Sequence, residues 1–296
     1  MADYKITCSS TCDLSAEHLK SIGVPYNSFH YIIDGQVFED DLFQSITREE
    51  FYGKIDAGAL PTTAQVTTDE VIDFLEPILK EGYDVLHIEF SSGLSGGWAS
   101  AKAACEMLQE KYPERKVLAV DSLAASSGYG LLVDKAAELK AEGKSIEEVR
   151  DWVESNKLRL RHWFFATNLK HLKRGGRVSG PAAVIGSLMR IVPVMDVNSE
   201  GKLIVRKKVF GRNAAMKELV NQIKAQAESG DEYCGKVYIS NSMLQAESEA
   251  IAEKIEEALP AMNGKVLIND IGPVIGAHTG PGTIALFFFS DTERQI

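Results

Sequence analysis

A glycine-rich loop between a predicted strand and a predicted helix is the most informative chemical feature of the sequence. Residues 91–97 have the sequence Ser-Ser-Gly-Leu-Ser-Gly-Gly, between the apolar run 83–90 and a helical pattern that begins at Trp98. Glycines let successive backbone N–H groups point toward one place, the serines add hydroxyl donors, and the following helix adds the positive end of its dipole. The loop is therefore suited to bind an anion, although its serines could also simply cap the helix.

Two further segments carry groups that bind anions. Residues 61–68 offer several hydroxyls before a predicted helix, but Thr67 or Thr68 also has a structural use as the cap of that helix. Residues 173–177 place three cations around two glycines, a cluster that either pairs with surface acids or reaches an anionic ligand. Within it, Arg177 could hold a carboxylate through two hydrogen bonds, because a guanidinium presents a fixed fork of donors.

A fourth segment, residues 271–282, encloses His278 among glycines and prolines, beside hydroxyl and backbone donors. A single histidine is often structural, but a rigid loop of small residues favours a functional role here. His87 and Glu89 alternate within an apolar strand pattern instead, so we interpret them as strand residues rather than as ligands.

The composition of the 296-residue chain is that of a globular protein, with 45% hydrophobic and 25% charged residues. The net charge of −10 would repel a phosphate backbone or an anionic membrane surface, so nucleic acid is not an expected partner. No apolar segment has the length of a membrane span or of a signal region, so we expect a cytoplasmic protein. The cysteines predict neither a disulfide framework nor a metal site, since they form no Cys-x-x-Cys pair and no histidine lies at zinc spacing. They are Cys8, Cys12, Cys105 and Cys234.

Short apolar runs alternate with helical patterns along most of the chain, which is typical of βαβ units and predicts the α/β class. Strands are predicted at residues 4–8, 83–90, 116–122, 163–167, 236–240, 265–271 and 283–289. Helices are predicted at residues 68–81, 98–111, 131–142 and 181–190. Further helices are predicted after the cap at Ser145 and from near Arg212 and Leu244. Hairpins are predicted through Asp34-Gly35 and through residues 198–201. We expect two lobes, residues 1–163 and residues 164–296.

Taken together, the four segments are similar to the motifs of the DegV family, the bacterial fatty-acid-binding proteins that serve as the acyl-carrying subunit of fatty acid kinase. The family's Thr-Ser-Gln-Pro-Ser, Ser-Ser-Gly-Leu-Ser-Gly-Thr, Lys-Gly-Gly-Arg and late Gly-x-His-x-Gly-Pro-Gly motifs have counterparts at residues 63–67, 91–97, 174–177 and 272–282. Four motifs in the same order are more specific than any one of them. The resemblance implies a two-lobed DegV-like α/β fold, with a mostly parallel sheet in the N-terminal lobe, a mixed α/β C-terminal lobe and the ligand between them.

The resemblance also implies a ligand and the residues around it. A long-chain fatty acid such as palmitate or stearate would lie between the lobes, with no other cofactor and no metal. By position, Thr63 and Ser92 would contact its carboxylate. Further residues of the carboxylate site, or residues facing the head group or a partner, would be Ser91, Gly93, His278, Thr279, Arg177 and Arg212. Apolar lining is expected from residues 182–189, Phe164, Phe165 and residues 287–289, for which ordinary core packing is the alternative.

In the family, a separate ATP-dependent kinase phosphorylates the bound carboxylate to an acyl phosphate, which feeds phospholipid synthesis. The resemblance therefore implies that this chain presents a substrate and does not catalyse a reaction alone. Some positions depart from the family pattern: Ser9 replaces a common aspartate, Val192 a common lysine, and Phe210 stands near an expected arginine that Arg212 could supply. These departures are compatible with lipid binding, but they weaken the expectation that this chain couples to a kinase.

Two other classes of function fit parts of the pattern. Residues 93–97 satisfy Gly-x-Ser-x-Gly between a strand and a helix, which allows a serine hydrolase with Ser95, Asp270 and His278 as its triad. Two serines before Gly93, and no upstream His-Gly-Gly-Gly-like segment, argue against this class. A carrier of a small phosphorylated substrate, similar to dihydroxyacetone kinase, would share the anion loops but would need no long apolar tunnel.

Overall fold

The computed structural model describes residues 3–178 and 191–296, which form an α/β protein. The strands of the N-terminal part are β1 (Tyr4–Ser9), β2 (Tyr26–Asn27), β3 (His30–Ile33), β4 (Gln36–Glu39), β5 (Thr62–Ala64), β6 (Asp84–Glu89) and β7 (Val117–Asp121). The helices of this part are α1 (Ala16–Ser21), α2 (Arg48–Asp56), α3 (Thr68–Lys80), α4 (Gly97–Lys111), α5 (Ser126–Ala141) and α6 (Ile146–Asn156).

Strands β2, β1, β6 and β7 lie side by side in this order and are all parallel. Every residue of the central strand β6 is buried, because helices α3, α4 and α6 pack against it and parallel sheets are usually covered on both faces. The predicted parallel sheet of the N-terminal lobe is thus confirmed, and His87 and Glu89 lie inside it as strand residues.

Strands β4, β3 and β5 form a small antiparallel sheet beside the parallel one. The predicted turn at Asp34-Gly35 is confirmed, since the φ angles of these residues are 54° and 76° and a two-residue hairpin turn needs positive φ. Strand β5 lies inside segment 61–68, which was expected to be a loop. The pairing of Thr63 with Tyr31 of β3 fixes the position of this segment.

The remaining elements build the C-terminal lobe. Its strands are β8 (Leu160–Ala166), β9 (Ile191–Val197), β10 (Leu203–Phe210), β11 (Tyr238–Asn241), β12 (Leu267–Asp270) and β13 (Thr283–Phe289), and its helices are α7 (Lys170–Arg174), α8 (Arg212–Gln226), α9 (Gln245–Ala258) and α10 (Pro273–Thr279). The strands form one sheet in the order β10-β9-β8-β13-β11-β12. Only the β11–β12 pair of this sheet is parallel, which confirms the mixed C-terminal lobe.

Helix α5 lies between the two large sheets and contacts β1 on one side and β8, β11 and β13 on the other. Small residues allow this position: a Cβ atom at Gly128 would lie 2.5 Å from Nε2 of His162, and one at Gly130 would lie 2.6 Å from the carbonyl oxygen of Cys12. One hydrophobic core therefore extends through both lobes, and a second cluster lies among α2, α3 and α4 of the N-terminal part. The predicted boundary between residues 1–163 and 164–296 falls inside β8, which pairs with β13 from Leu160 onward.

The other differences from the sequence-based prediction have local reasons. Helix α5 begins at Ser126 and not at residue 131, because the serines and glycines of its first turns are small contact residues rather than a loop. Segment 271–282 contains α10, whose Pro273 occupies the first helical turn, where a missing N–H has no cost. The sequence pattern did not indicate α1 or α2. The helix predicted at residues 181–190 lies outside the described residues.

Candidate functional site

A cavity of about 430 Å³ lies between the two lobes, and most of its wall is apolar. Among the apolar residues that line it are Phe29, Phe90, Leu94, Phe164, Leu203 and Phe287. The polar part of the wall includes Thr63, Ser95, Arg177 and His278. These four residues come one from each of the four segments predicted to bind an anion, so the fold brings those segments to one site.

The six-stranded sheet forms one wall of the cavity. Alternate residues face it, because successive side chains of a strand point to opposite faces: Thr283, Ala285 and Phe287 from β13, and His162 and Phe164 from β8. This alternation also separates the phenylalanines that the sequence could not distinguish. Phe164 and Phe287 line the cavity, whereas Phe165, Phe288 and Phe289 are buried in the core. The predicted lining residues 182–189 lie outside the described part of the chain.

Thr63 and His278 form a hydrogen bond at the polar end of the cavity, with 2.8 Å between Oγ1 and Nε2. The two residues are 215 positions apart. Strand β5 carries Thr63 and the last turn of α10 carries His278, and these two elements are in contact. Two of the residues predicted for the carboxylate site are thus adjacent in the structure.

His278 is uncharged at neutral pH. Burial, together with the nearby positive charges of Arg177 and Arg174, lowers its pKa to about 4. Its Nδ1 atom is buried, has no hydrogen-bond partner among the described residues and faces the backbone of Gly175. We place the proton on Nε2, because a buried N–H without an acceptor is costlier than a bare nitrogen lone pair. His278 then donates to Thr63, whose own O–H is left to donate to a ligand.

Ser95 is the serine of the glycine-rich loop that lines the cavity. Its Oγ accepts a hydrogen bond of 3.1 Å from the N–H of Gly97 at the start of α4, so its own hydrogen remains to be donated. Gly96 packs against the side chain of Gln65, which leaves no room for a Cβ atom there. The loop that carries Ser95 and the segment that carries Thr63 therefore lie against each other.

Ser91, Ser92 and Gly93 were expected at the carboxylate, but none of them lines the cavity. Ser91 is fully buried and its Oγ donates to the carbonyl oxygen of Gly201 at 2.9 Å. Ser92 is exposed, and its N–H donates to Asp121. Gly93 donates its N–H to Ser91. Ser91 thus attaches the loop to the turn between β9 and β10, and Ser92 attaches it to the end of β7. The predicted contact of these three residues with a ligand stays a prediction.

The basic segment divides its cations between two roles. Arg177 lines the cavity, while its Nε and Nη1 atoms donate to the carbonyl oxygens of Leu94 and Gly175. Arg174 donates through Nη2 to the carbonyl oxygens of Pro61 and Ala277, which ties the basic segment to both β5 and α10. It acts as a positioning residue.

The two remaining predicted site residues also differ in position. Thr279 lines the cavity, but its hydroxyl donates to the carbonyl oxygen of Ile275 at 3.2 Å. Arg212 does not line the cavity and forms an ion pair with Glu247. Arg212 therefore has no contact with the candidate head-group site.

The hydrolase triad considered from the sequence is not assembled. Asp270 forms an ion pair of 2.5 Å with Arg48, and Nδ1 of His278 has no hydrogen-bond partner. His278 Nε2 bonds to Thr63 and not to Ser95. A nucleophilic serine needs a base that is itself oriented by an acid, so this arrangement does not activate Ser95.

Several lining residues gave no signal in the sequence. Ser126 lies in the glycine-rich start of α5. His162 precedes the predicted strand 163–167, and Thr283 begins a strand in which only residues 287–289 were expected to line the cavity. Ser95 was considered as a nucleophile and not as a ligand-binding residue. Only the way the loop folds distinguishes it from Ser92, since Ser95 donates its N–H back to the carbonyl oxygen of Ser91.

The two α/β lobes flank a mostly apolar cavity with polar side chains on part of its wall, which is typical of a small-molecule binding site. The chain belongs to the DegV family: the model of this family, described as an uncharacterised protein family, matches residues 3–291. A DegV domain-containing protein of Clostridium perfringens is 39% identical over 294 residues, which cover 99% of this chain and 100% of that protein.

Solved structures share the fold over nearly the whole chain. A DegV family protein from Thermus thermophilus, described by its fatty acid binding, has a TM-score of 0.85 and 29% identity, over 97% of this chain and 99% of that one. The fatty acid kinase B3 protein of Streptococcus pneumoniae, loaded with linoleic acid, has a TM-score of 0.84 over 98% of this chain and 100% of that one. At 20% identity, this similarity shows a common fold.

Two features of the described residues bear on other partners. None of the helices in residues 3–178 and 191–296 has the length and apolar character to cross a membrane. Within the same ranges, no group of three or more His, Cys, Asp or Glu side chains is arranged to hold a metal ion.

Proposed function

We propose that this protein binds a long-chain fatty acid in the cavity between its lobes, with the carboxylate at the Thr63–His278 pair. The observation that carries the proposal is a ligand-sized apolar cavity whose polar end joins residues from four separate segments. Its volume of about 430 Å³ lies within the range of roughly 300–1,000 Å³ typical of small-molecule sites. The DegV protein of Thermus thermophilus, which shares the fold, is described by its fatty acid binding.

The apolar wall supplies the affinity. Burial of about 16 methylene groups at about 0.8 kcal/mol each gives roughly 13 kcal/mol before the costs of ordering the ligand. A small phosphorylated molecule would leave most of this apolar surface without a partner. The wall therefore favours a fatty acid over the small-substrate carrier.

The polar end orients the ligand. Thr63 donates its hydroxyl hydrogen to one carboxylate oxygen, Ser95 donates to the carboxylate as well, and Arg177 supplies the positive charge. These donors prevent the carboxylate from being buried unpaired, which would be costly. The head-group residues that we propose are Thr63, Ser95, His278 and Arg177, with Thr279 beside them.

We further propose that the chain presents the bound carboxylate to a separate ATP-dependent kinase and has no catalytic step of its own. Two points support this: the inactive arrangement around Ser95, and a carboxylate end beside Arg177, which is exposed. The streptococcal protein of the same fold is a fatty acid kinase B3 protein. Phe210 is 79% exposed and stands next to the site of the family's arginine. At this surface, coupling to a kinase would differ from that of family members that carry the arginine.

Mass spectrometry of an organic extract of the purified protein tests the binding proposal. We expect one long-chain fatty acid per chain in the wild type and a large loss in Thr63→Val. The matched control is Thr62→Val, because Thr62 is the exposed neighbour on the same strand and does not line the cavity. An empty wild-type extract that also fails to take up added fatty acid would contradict the proposal. Equal retention in the two variants would remove only the role of Thr63.

A further inference from the structure

Two buried acids from the N-terminal lobe hold the first turn of α10. The N–H of Gly272 donates to Oδ1 of Asp13 at 3.0 Å, and the N–H of Val274 donates to Oδ2 of Asp40 at 3.4 Å. Asp13 is 3% exposed and Asp40 is fully buried. A Cβ atom at Gly272 would lie within 3.4 Å of both side chains, so the two acids meet at the start of the same helix.

Each acid also contacts a cavity-lining residue of its own lobe. Oδ2 of Asp13 accepts a hydrogen bond from the hydroxyl of Ser126, and the N–H of Asp40 donates to the carbonyl oxygen of Phe29 at 2.7 Å. Ser126 and Phe29 line the cavity, as Val274 of α10 does. The two acids therefore join α10, which belongs to the C-terminal lobe, to two parts of the N-terminal wall.

Helix α10 connects this anchored turn to the head-group histidine. His278 follows Gly272 in the same helix, roughly 9 Å farther along it at about 1.5 Å per residue. Between them, a Cβ atom at Gly276 would lie 2.6 Å from Oη of Tyr52, and the same hydroxyl donates to the carbonyl oxygen of Ile271 at 2.7 Å. Because α10 is short and in close contact along its length, a shift of its first turn also moves its last turn.

The two acids have an unfavourable electrostatic environment. Burial raises the pKa of both groups, of Asp40 to about 6, and the charge of Asp270 acts on Asp13 in the same direction. Acids buried without a counter-charge reduce stability, and apolar residues of similar volume often fill such positions at no cost. Packing alone therefore does not account for two acids here, whereas their hydrogen bonds to α10 do.

We infer that Asp13 and Asp40 are positioning residues for the head-group site, which hold α10 so that His278 meets Thr63. The use of this position by a ligand rests on the proposed function, whereas the position itself is a property of the ligand-free protein. Neither acid lines the cavity. Both act through the helix that separates them from the histidine.

NMR titration of His278 in the ligand-free, full-length protein tests the position of its ring. In the wild type we expect a pKa of about 4. Asp13→Ala removes the acceptor of Gly272 and Ser126, and we expect the pKa of His278 to rise toward that of an ordinary histidine, because a displaced ring is less buried. Asp13→Asn is expected to keep the wild-type pKa, because its amide can accept from Gly272 and donate to the hydroxyl of Ser126.

Asp134→Ala is the matched control. Asp134 is 1% exposed, lies on α5 and bonds to His18, Lys236 and Tyr238, none of which belongs to α10. This variant is expected to lower the free energy of unfolding in urea, because it leaves a lysine without its partner. It is expected to leave the pKa of His278 unchanged.

Palmitate binding to the same delipidated proteins, measured by isothermal titration, tests the consequence for the ligand. We expect Asp13→Ala to weaken binding about tenfold, as the loss of one head-group donor would. Asp13→Asn and Asp134→Ala are expected to bind within about twofold of the wild type. In a His278→Gln background, Asp13→Ala is expected to cause no further loss, because the acid acts through the histidine.

The outcomes separate the inference from the proposed function. An unchanged pKa of His278 in Asp13→Ala and Asp40→Ala would overturn the inference, and so would an equal loss of affinity from Asp13→Ala with and without His278. Should Asp13→Ala not fold, Asp13→Ser takes its place with the same expected rise in pKa, because its side chain is too short to hold α10. Failure of palmitate to bind the wild type would overturn the proposed function, while the NMR titration still decides the inference.

Discussion

The backbone of Gly175 packs directly against the ring of His278, on the side that carries Nδ1. This contact leaves no room for a Cβ atom at position 175, and it holds the opposite ring nitrogen toward Thr63. The two glycines of the basic segment thus have different roles. Gly175 supports the histidine, whereas Gly176 adopts a positive φ of 69° and faces open space.

Gly175→Ala is expected to weaken fatty acid binding about tenfold, because the added methyl group pushes His278 away from Thr63 and removes one donor from the carboxylate site. Isothermal titration of the delipidated variant with palmitate measures this change. Gly176→Ala is the control: it strains the turn, and so lowers the free energy of unfolding, but adds nothing against His278. Equal affinities for palmitate in the two variants would contradict the supporting role of Gly175.

Ser95→Ala is expected to reduce fatty acid affinity by about tenfold or more, since one hydrogen bond to a charged carboxylate is lost. Ser92→Ala, in the same loop, is expected to bind as the wild type does, because its side chain is exposed and outside the cavity. Dissociation constants for both variants decide between the two serines. The opposite order of effects would restore the assignment made from the sequence motif.

Acid is expected to destabilise the ligand-free protein through His278. Its pKa is about 4 in the fold against about 6.5 for an ordinary histidine, so the unfolded chain takes up the proton first as the pH falls. The stability that neutral His278 contributes is therefore fully present above pH 6.5 and is lost as the pH falls toward 4, by about 3 kcal/mol. Urea unfolding of the wild type and His278→Gln at pH 7.5 and pH 4.5 tests this.

The comparison of the wild type with His278→Gln isolates the contribution of the histidine to the free energy of unfolding, because Asp40 is present in both proteins. Asp40 contributes in the opposite direction. Burial raises the pKa of Asp40 to about 6, which adds stability as the pH falls, equally in both proteins. The expected result is a smaller loss of unfolding free energy in His278→Gln than in the wild type. Parallel pH profiles would show that His278 is not held neutral by its surroundings.

Arg177→Gln is expected to weaken fatty acid binding a few-fold at low salt and less at high salt, because an exposed guanidinium acts on the carboxylate through a screened charge. Lys173→Gln changes the same charge in the same segment without touching the cavity. Affinities at 20 mM and 500 mM NaCl compare the two. A similar loss in both variants would mean that the basic segment acts only through its total charge.

The sequence motifs located the polar end of the cavity but not all of its contacts. Thr63, His278 and Arg177 were predicted because each stands in a distinctive segment, and contacts between distant segments follow from the α/β topology. The choice between Ser92 and Ser95 depends on one turn of the loop, which hydrophobic periodicity does not describe. Thr283 was not predicted for a different reason, since a threonine in an apolar strand gives no sign that it lines a cavity.

The hydrophobic core that passes without interruption from β1 through α5 to β13 has a consequence for how the cavity is filled and emptied. Lobes that share one core do not swing apart as separate bodies, because that motion would expose much of the interior to water. A ligand in this cavity therefore enters and leaves while the two lobes stay packed together. Exchange of a bound ligand is then governed by the kinetics of local opening.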